Sequence, residues 1–138
     1  MKILSLIFLL ALSGLAMSDS CRWSGSVSLL DQQYEFAFIG KIEKRLSDYS
    51  LSLDKFSVNV ISSYKGDVSE NVIVWSGDSS DCGADFVLGK TYVIFAKKIR
   101  NKLIAHYPSV WEFTEENKNV TDNFLKYYEK KNVTKDDQ

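Results

Sequence analysis

The sequence predicts a mainly β (α+β) domain, a closed five-stranded barrel with a short N-terminal helix and a C-terminal helix. Short segments alternate apolar and polar residues, glycines interrupt or end them, and residues 91–98 are apolar on both faces, as a central barrel strand would be. Short strands with glycine-marked bends favour a barrel over an open sheet, because closure removes exposed edges. An immunoglobulin-like sandwich would want about seven strands and a cysteine pair flanking a core tryptophan, and Cys21 lies too early for that.

A secretory signal peptide is predicted over residues 1–18, where Lys2 precedes an apolar run and then small residues. Cleavage after residue 16, 18 or 20 fits the preference for small residues, and these alternatives stay open. We therefore expect a secreted protein, or a periplasmic or cell-surface one if the source is bacterial, rather than a retained anchor. Residues 19–131 form the predicted single barrel domain, and residues 132–138 form a polar tail.

Helices are predicted at both ends of the domain. Residues 26–34 place apolar side chains three and four positions apart, and Ser26 can cap the helix. Residues 121–131 place large apolar side chains at helical spacing, and we expect the polar residues beyond them to fray.

The strands lie between these helices. Residues 34–44 alternate, with Phe36, Phe38 and Ile42 on related faces, and Gly40 predicts a bulge or a sharp coil. Residues 49–53 and 56–67 both alternate, but the alternation changes phase between the two segments. This change predicts a bulge or turn at Asp54 and Lys55. The remaining strand segments are predicted over residues 49–53, 56–67, 71–77, 91–98 and 103–107.

Charge and composition limit the function classes. The chain has 17 basic and 18 acidic residues, so we expect no basic face, and nucleic acid is a poor candidate partner. After the signal peptide, no apolar stretch approaches the roughly 20 residues of a membrane span. No nucleophile with a base and no paired carboxylates stand out, so we expect a non-enzyme without a cofactor or a resident metal.

Several chemically notable residues have simpler structural interpretations. His106 is the single histidine, and a structural role is favoured because neither a catalytic triad nor a histidine-based zinc site is easily built from one imidazole. The spacing of Asp78, Asp81 and Asp85 matches no calcium loop, so a solvated acidic turn is favoured.

Aromatic residues are abundant and are interpreted mainly as core. We expect Trp75, Tyr92 and Phe95 to be buried. Trp111 has the same interpretation, but Trp111 and Trp23 are candidate ligand contacts if they are exposed. Asn119 and Asn132 begin glycan acceptor sequences, which matter only in a eukaryotic source.

The two cysteines, Cys21 and Cys82, favour a disulfide over a metal site or a nucleophile, because the chain is predicted to be exported. Such a bridge would close a loop of about 60 residues and contribute ~4 kcal/mol in the chain-entropy model.

Four segments in order resemble the netrin-like, OB-fold domain of tissue inhibitors of metalloproteinases and their bacterial relatives. The resemblance covers roughly residues 21–107. The segments are EFAFIGKI, FSVNVISSYKGD, SDCGADF and GKTYVIFA.

The resemblance implies a role for the N-terminal segment. It implies that Cys21 bridges to the Cys82-Gly83 turn, whereas the second family bridge is missing because Trp23 stands where the family has cysteine. In animal members, the amine and carbonyl of the first cysteine chelate the catalytic zinc of the protease. We therefore expect a monomer that binds a protein partner, a secreted zinc metalloprotease, through Cys21, Arg22, Trp23 and Gly83.

The alternative function is a non-inhibitory extracellular protein-binding or adhesion module that uses the barrel face or its loops. The signal cleavage site discriminates between these hypotheses, because only a chain that begins at Cys21 presents a free amine on that residue.

Overall fold

A computed structural model of the chain describes residues 26–46, 53–77, 86–105 and 109–136. It confirms the predicted fold class: a closed five-stranded mixed barrel with one helix before it and one after it. In chain order the elements are α1 Val27–Gln33, β1 Phe36–Leu46, β2 Leu53–Lys65, β3 Asn71–Gly77, β4 Thr91–Ile99, β5 Lys102–Ile104, β6 Val110–Glu112 and α2 Lys118–Asp136.

The strands are ordered β1-β2-β3-β5-β4, and a further pairing between β1 and β4 closes the barrel. All neighbouring strands are antiparallel except β3 and β5, which are parallel. One edge of β4 pairs with β1, and the other pairs with β5 and then with the short strand β6. The predicted central segment, residues 91–98, is therefore flanked on both sides.

Strand β1 bends at Gly40, as its sequence predicts. The β1–β2 register shifts between Ile39 and Gly40 and at two neighbouring places along the pair. A Cβ atom at position 40 would lie 2.5 Å from Cγ1 of Val58, so a larger residue would force the two strands apart. These bulges coil β1 so that it pairs with β2 and β4 at once.

Apolar side chains fill the barrel interior. Phe38 and Ile42 lie in this cluster and Phe36 packs against it, which confirms that the three share a face. Alternate residues of β4, among them Tyr92 and Ile94, point into the same cluster. The interior members are Phe38, Ile42, Phe56, Val58, Val74, Tyr92, Ile94, Ala96, Ala105 and Val110.

A second apolar cluster lies between the outside of the barrel and the two helices. It contains Val93 and Phe95, the intervening residues of β4, so this strand is buried on both faces. The ring of Phe124 in α2 lies at its centre, 5.6 Å from Phe95 and 4.9 Å from Tyr64 between ring centroids. Edge-to-face packing of such rings adds about 0.5–1.5 kcal/mol per pair beyond burial.

A buried carboxylate, Asp31 of α1, joins the two helices to the end of β2. It accepts hydrogen bonds from the hydroxyls of Tyr127 at 2.8 Å and Tyr128 at 2.7 Å, and from Lys131 Nζ at 2.7 Å. Lys65 Nζ lies 3.5 Å from the same carboxylate and also donates to the Asp31 backbone carbonyl. Helix α2 and the end of β2 therefore both contact the carboxylate of α1, although the three elements are distant in sequence.

These contacts keep Asp31 ionised. Burial alone would raise the pKa of this carboxyl, but the hydrogen bonds from Lys131, Tyr128 and Tyr127 and the charge of Lys65 together lower the pKa from 3.8 to about 2. Burial, together with the hydrogen bonds to Asp31, raises the pKa of both tyrosine hydroxyls. Because the folded-state pKa of Asp31 is depressed, its stabilisation is present above about pH 4 and is lost as the pH falls towards 2.

Three details of the sequence-based prediction are wrong. Strand β2 pairs with β3 in continuous register from Leu53 to Asn59, so no bulge lies at Asp54 and Lys55; the β1 strand absorbs the irregularity instead. Strand β6 was not predicted, because three residues are too short for a periodicity signal. Helix α2 continues through the polar residues to Asp136, and Thr134 Oγ1 donates to the Lys131 carbonyl at 2.9 Å.

Other predicted helix and strand boundaries agree more closely with the structure. Ser26 takes the N-cap position of α1, although its side chain makes no capping hydrogen bond. The fifth strand covers residues 102–104 rather than 103–107, and residues 106–108 lie outside the described part. No helix among the described residues is both long and apolar enough to cross a membrane.

Asp31→Asn should lower the free energy of unfolding by about 2 kcal/mol at pH 7, because the neutral amide loses its ionic contacts with Lys65 and Lys131. Denaturant unfolding between pH 7 and pH 2 measures the difference in free energy of unfolding between the two proteins. This difference should disappear between about pH 4 and pH 2.

The matched control is Asp54→Asn, which removes a solvent-exposed pair with Arg45 at 2.7 Å and should cost only about 0.2–1 kcal/mol. Equal losses in the two variants would show that the buried carboxylate does not join the helices to the barrel.

Candidate functional site

The outer face of β2, β3 and β5 carries the candidate site. Side chains alternate along β3, so Val74 points into the barrel and Trp75 points out. Trp75 pairs across the sheet with Lys55 on one side and with Ile104 on the other. Although it lies on the outer face, only 8% of Trp75 is exposed, because neighbouring side chains cover it.

Two lysines contact the Trp75 ring. Lys102 Nζ lies 4.5 Å from the ring centroid and Lys55 Nζ lies 5.2 Å from it. A cation over an indole face is attracted by the negative charge of the ring face, by roughly 0.5–1 kcal/mol at exposed sites. The indole therefore holds two ammonium groups in place, and ordering them for a ligand costs little entropy.

A tight hairpin places Lys102 beside Trp75. Ile99 pairs with Lys102, and the two residues between them, Arg100 and Asn101, both have positive φ angles, of 50° and 63°. Two such residues form the type I′ turn, whose twist matches that of paired strands. The turn brings Lys98 and Lys102 to the same end of the barrel as Lys55.

An open groove of about 540 Å³ runs between this hairpin and strands β2 and β3. We call it the basic groove. Ile73 forms part of its wall, with 42% of the residue exposed. The groove is defined by Lys55, Asn71, Trp75, Lys98, Asn101 and Lys102.

The charged residues around the groove are mostly basic. Among the described residues, no ion pair involves Lys55, Lys98 or Lys102, or Arg100 at the tip of the hairpin. The sequence contains no acidic residue from position 86 to position 111, so no neighbour within this segment neutralises the charge of the hairpin. Asp67 supplies one carboxylate to the wall of the groove.

A second surface is apolar rather than charged. Ile61 and Phe113 are exposed by 57% and 50%, and with Leu125 of α2 they line a shallow groove. An ion pair between Lys90 and Glu112, at 3.2 Å, lies along it. Nothing chemically specific distinguishes this surface.

The site residues predicted from sequence lie outside the described residues, so the disulfide and the partner-binding segment stay predictions. The same holds for His106 and for the acidic turn. The residues concerned are Cys21, Arg22, Trp23, Asp78, Asp81, Cys82, Gly83, Asp85 and His106.

The aromatic predictions are largely confirmed. Tyr92 and Phe95 are buried in the two apolar clusters. Trp111 packs 6.0 Å from Phe124 between ring centroids and donates from Nε1 to Thr121 Oγ1 at 3.2 Å, so it anchors α2 rather than offering a ligand platform. Trp75 is buried, but on the outer face and beneath lysines.

The net charge implied no basic face, but the structure brings three lysines together around one groove. Net charge is a sum over the whole chain and does not show how charges cluster. Residues 97–102, KKIRNK, contain four of the 17 basic residues, and this run is the signal that could have identified the groove. The proximity of Lys55 could not be predicted without the strand order.

The chain matches no protein-family model and no curated protein. The resemblance to tissue inhibitors of metalloproteinases therefore stays a prediction that rests on the sequence segments.

Position 101 of the hairpin requires a residue that accepts a positive φ angle. Asn101→Gly should leave the free energy of unfolding within about 0.5 kcal/mol of the wild-type value, whereas Asn101→Val should cost about 1–2 kcal/mol, because a β-branched side chain clashes at positive φ. Urea unfolding measures both. Lys98→Val is the matched control, since this exposed residue lies in β4 and strands accept β-branched residues. A valine at position 101 that costs no more than one at position 98 would contradict the argument.

Proposed function

We propose that this chain is a non-catalytic extracellular binding module that holds an anionic partner in the basic groove. One observation carries the proposal: a chain with a formal net charge of −1 brings Lys55, Lys98 and Lys102 together in one groove, and no ion pair among the described residues engages them. Like charges that lie close together repel each other, and with three lysines and one carboxylate, Asp67, among its described lining residues the groove keeps a net positive charge that disfavours the free protein. An anionic ligand would remove that repulsion.

The architecture directs binding to the surface. Side chains fill the barrel interior, so a ligand has access only to the outer faces and the loops. Five-stranded barrels with this strand order commonly bind ligands across strands 2 and 3 and the loop between strands 4 and 5. The basic groove uses the same combination, namely β2, β3 and the β4–β5 hairpin.

The groove is also pre-organised. The indole of Trp75 holds two of the three lysines, and the type I′ turn fixes the backbone that carries Lys98 and Lys102. Binding a partner would therefore order few additional side chains. Because the cations are partly exposed, affinity should fall steeply as salt is added.

The proposal predicts that the monomeric protein binds the polyanion dextran sulfate at low ionic strength but does not bind neutral dextran. The double variant Lys55→Glu/Lys102→Glu should weaken binding by more than about tenfold, because it reverses two charges within the groove. Isothermal titration calorimetry at two salt concentrations measures both effects.

The control is Lys126→Glu/Lys130→Glu, which makes the same change in net charge on exposed positions of α2. Equal losses in the two double variants would show that net charge rather than the groove attracts the polymer, and would contradict the proposal.

A second candidate is inhibition of a secreted zinc metalloprotease through the segment that begins at Cys21. The specific observation in its favour is the barrel with flanking helices, which agrees with the fold that the resemblance implies. In this mechanism the α-amine of Cys21 donates its lone pair to the protease zinc, and a bridge to Cys82 would hold the segment rigid.

Acetylating the amine of a chain that begins at Cys21 should abolish inhibition of a zinc protease and leave the Tm nearly unchanged, since only the metal-binding group is modified. Inhibition assays before and after acetylation provide the measurement. Full inhibition by the acetylated protein would eliminate the chelation mechanism.

A further inference from the structure

We infer that the partner of the basic groove is an acidic polysaccharide, a sugar polymer that carries carboxylate or sulfate groups together with free hydroxyls. The inference rests on the proposed function and adds the chemical class of the ligand. Its basis is the mixture of side chains that line the groove, which combines cations, uncharged amides and one carboxylate with apolar residues such as Ile73 and Trp75.

The cations of the groove are ammonium groups rather than guanidinium groups. Lys55, Lys98 and Lys102 line it, whereas Arg100 lies next to it at the tip of the hairpin. An ammonium is a compact point charge without a preferred plane, whereas a guanidinium fork matches phosphate or carboxylate in two parallel hydrogen bonds. A row of lysines therefore suits a polymer whose anionic groups vary in orientation along the chain.

Trp75 does not offer the platform that a nucleic acid would use. Proteins bind single strands by stacking bases on exposed aromatic faces in addition to neutralising phosphates. Trp75 is 8% exposed, and two ammonium groups lie over its ring. The other aromatic residue that lines the groove, Phe36, is half-buried and packs against the interior cluster, so neither ring is a fully exposed face on which bases could stack.

The neutral polar groups distinguish a sugar polymer from an acidic peptide. Asn71 and Asn101 are exposed in the groove, and no hydrogen bond engages their side chains within the described part of the chain. An amide both donates to and accepts from a hydroxyl. Asp67 accepts hydrogen bonds from hydroxyls but repels a carboxylate, so it favours a ligand in which hydroxyls lie between the charges.

The shape of the groove agrees with a polymer. It is open rather than enclosed, and its lining extends from Asp67 and Trp75 to residues of the hairpin. An open groove leaves room for a ligand that is longer than the groove itself. Exposed Ile73 in the wall provides an apolar surface against which the faces of sugar rings can pack.

Binding of the full mature protein to four polyanions at low salt tests the inference. The polymers are oligogalacturonate, which carries carboxylates and hydroxyls; dextran sulfate, which carries sulfates; polyglutamate, which carries carboxylates without hydroxyls; and oligothymidylate, a single-stranded nucleic acid. We expect at least one sugar polymer to bind more tightly than both polyglutamate and oligothymidylate, and the better of the two sugars identifies the anionic group.

Two variants locate the effect. Lys55→Gln/Lys102→Gln should weaken sugar binding at least about tenfold, since it removes two fixed charges. Asn71→Ala should weaken oligogalacturonate binding about fivefold but leave polyglutamate binding unchanged, because it removes a partner for hydroxyls and no charge. Circular dichroism of each variant confirms that the barrel is intact.

The outcomes separate the two proposals. If polyglutamate or oligothymidylate binds the groove as tightly as the sugar polymers, the polysaccharide inference is wrong and the anion-binding function stands. If none of the four polymers shows binding that depends on Lys55 and Lys102, both proposals are wrong. If Asn71→Ala weakened polyglutamate and sugar binding equally, the inference would also be contradicted. The Asn71 side chain would then contribute to binding of charged polymers in general and would not contact sugar hydroxyls specifically.

Discussion

The pairing between β1 and β4 is the constraint on which the rest of this structure depends. It closes the barrel, and it requires β1 to bend at Gly40, where a Cβ atom would collide with Val58. Closure also fixes the order of the other strands, so that β5 lies parallel to β3 and Lys102 reaches the indole that Lys55 contacts from the other side. The basic groove therefore combines a local hairpin, which supplies Lys98 and Lys102, with the barrel topology that brings Lys55 beside it.

Features that depend on residues close together in the sequence could be predicted, whereas contacts between residues far apart in the sequence could not. The barrel, the bend at Gly40 and the double burial of β4 follow from patterns over a few residues, and the structure confirms them. The Asp31 cluster could not be predicted, because its partners Lys65 and Tyr128 are distant in the chain and meet only through packing. The same limit applies to the groove: the basic run at residues 97–102 was visible, but its neighbour Lys55 was not.

The carboxylate of Asp31 is buried, whereas the charged side chains of the basic groove remain partly exposed. At Asp31 a carboxylate is taken out of water, and burial alone would disfavour its ionised form, so three hydrogen-bond donors and a nearby cation are needed to keep it charged. In the basic groove the cations stay partly in water, and within the described part of the chain no ion pair engages them. The first arrangement stabilises the fold, because removing the carboxylate leaves buried donors unsatisfied. The second contributes little to stability beyond the contacts with Trp75.

This contrast bears on whether the groove has a function. Elsewhere four cations are paired, Arg45 with Asp54, Lys90 with Glu112, and both Lys65 and Lys131 with Asp31, although among the described residues other lysines, such as Lys118 and Lys126, also make no ion pair. A purely structural hairpin needs only two residues that accept positive φ, and any soluble side chains around them would serve. What distinguishes the groove is that three lysines lie close together and the indole of Trp75 holds two of them, so their mutual repulsion adds a cost that the fold does not require. A ligand with complementary charge provides the physical reason for that arrangement, and the hydroxyl-binding amides beside the lysines narrow its chemistry.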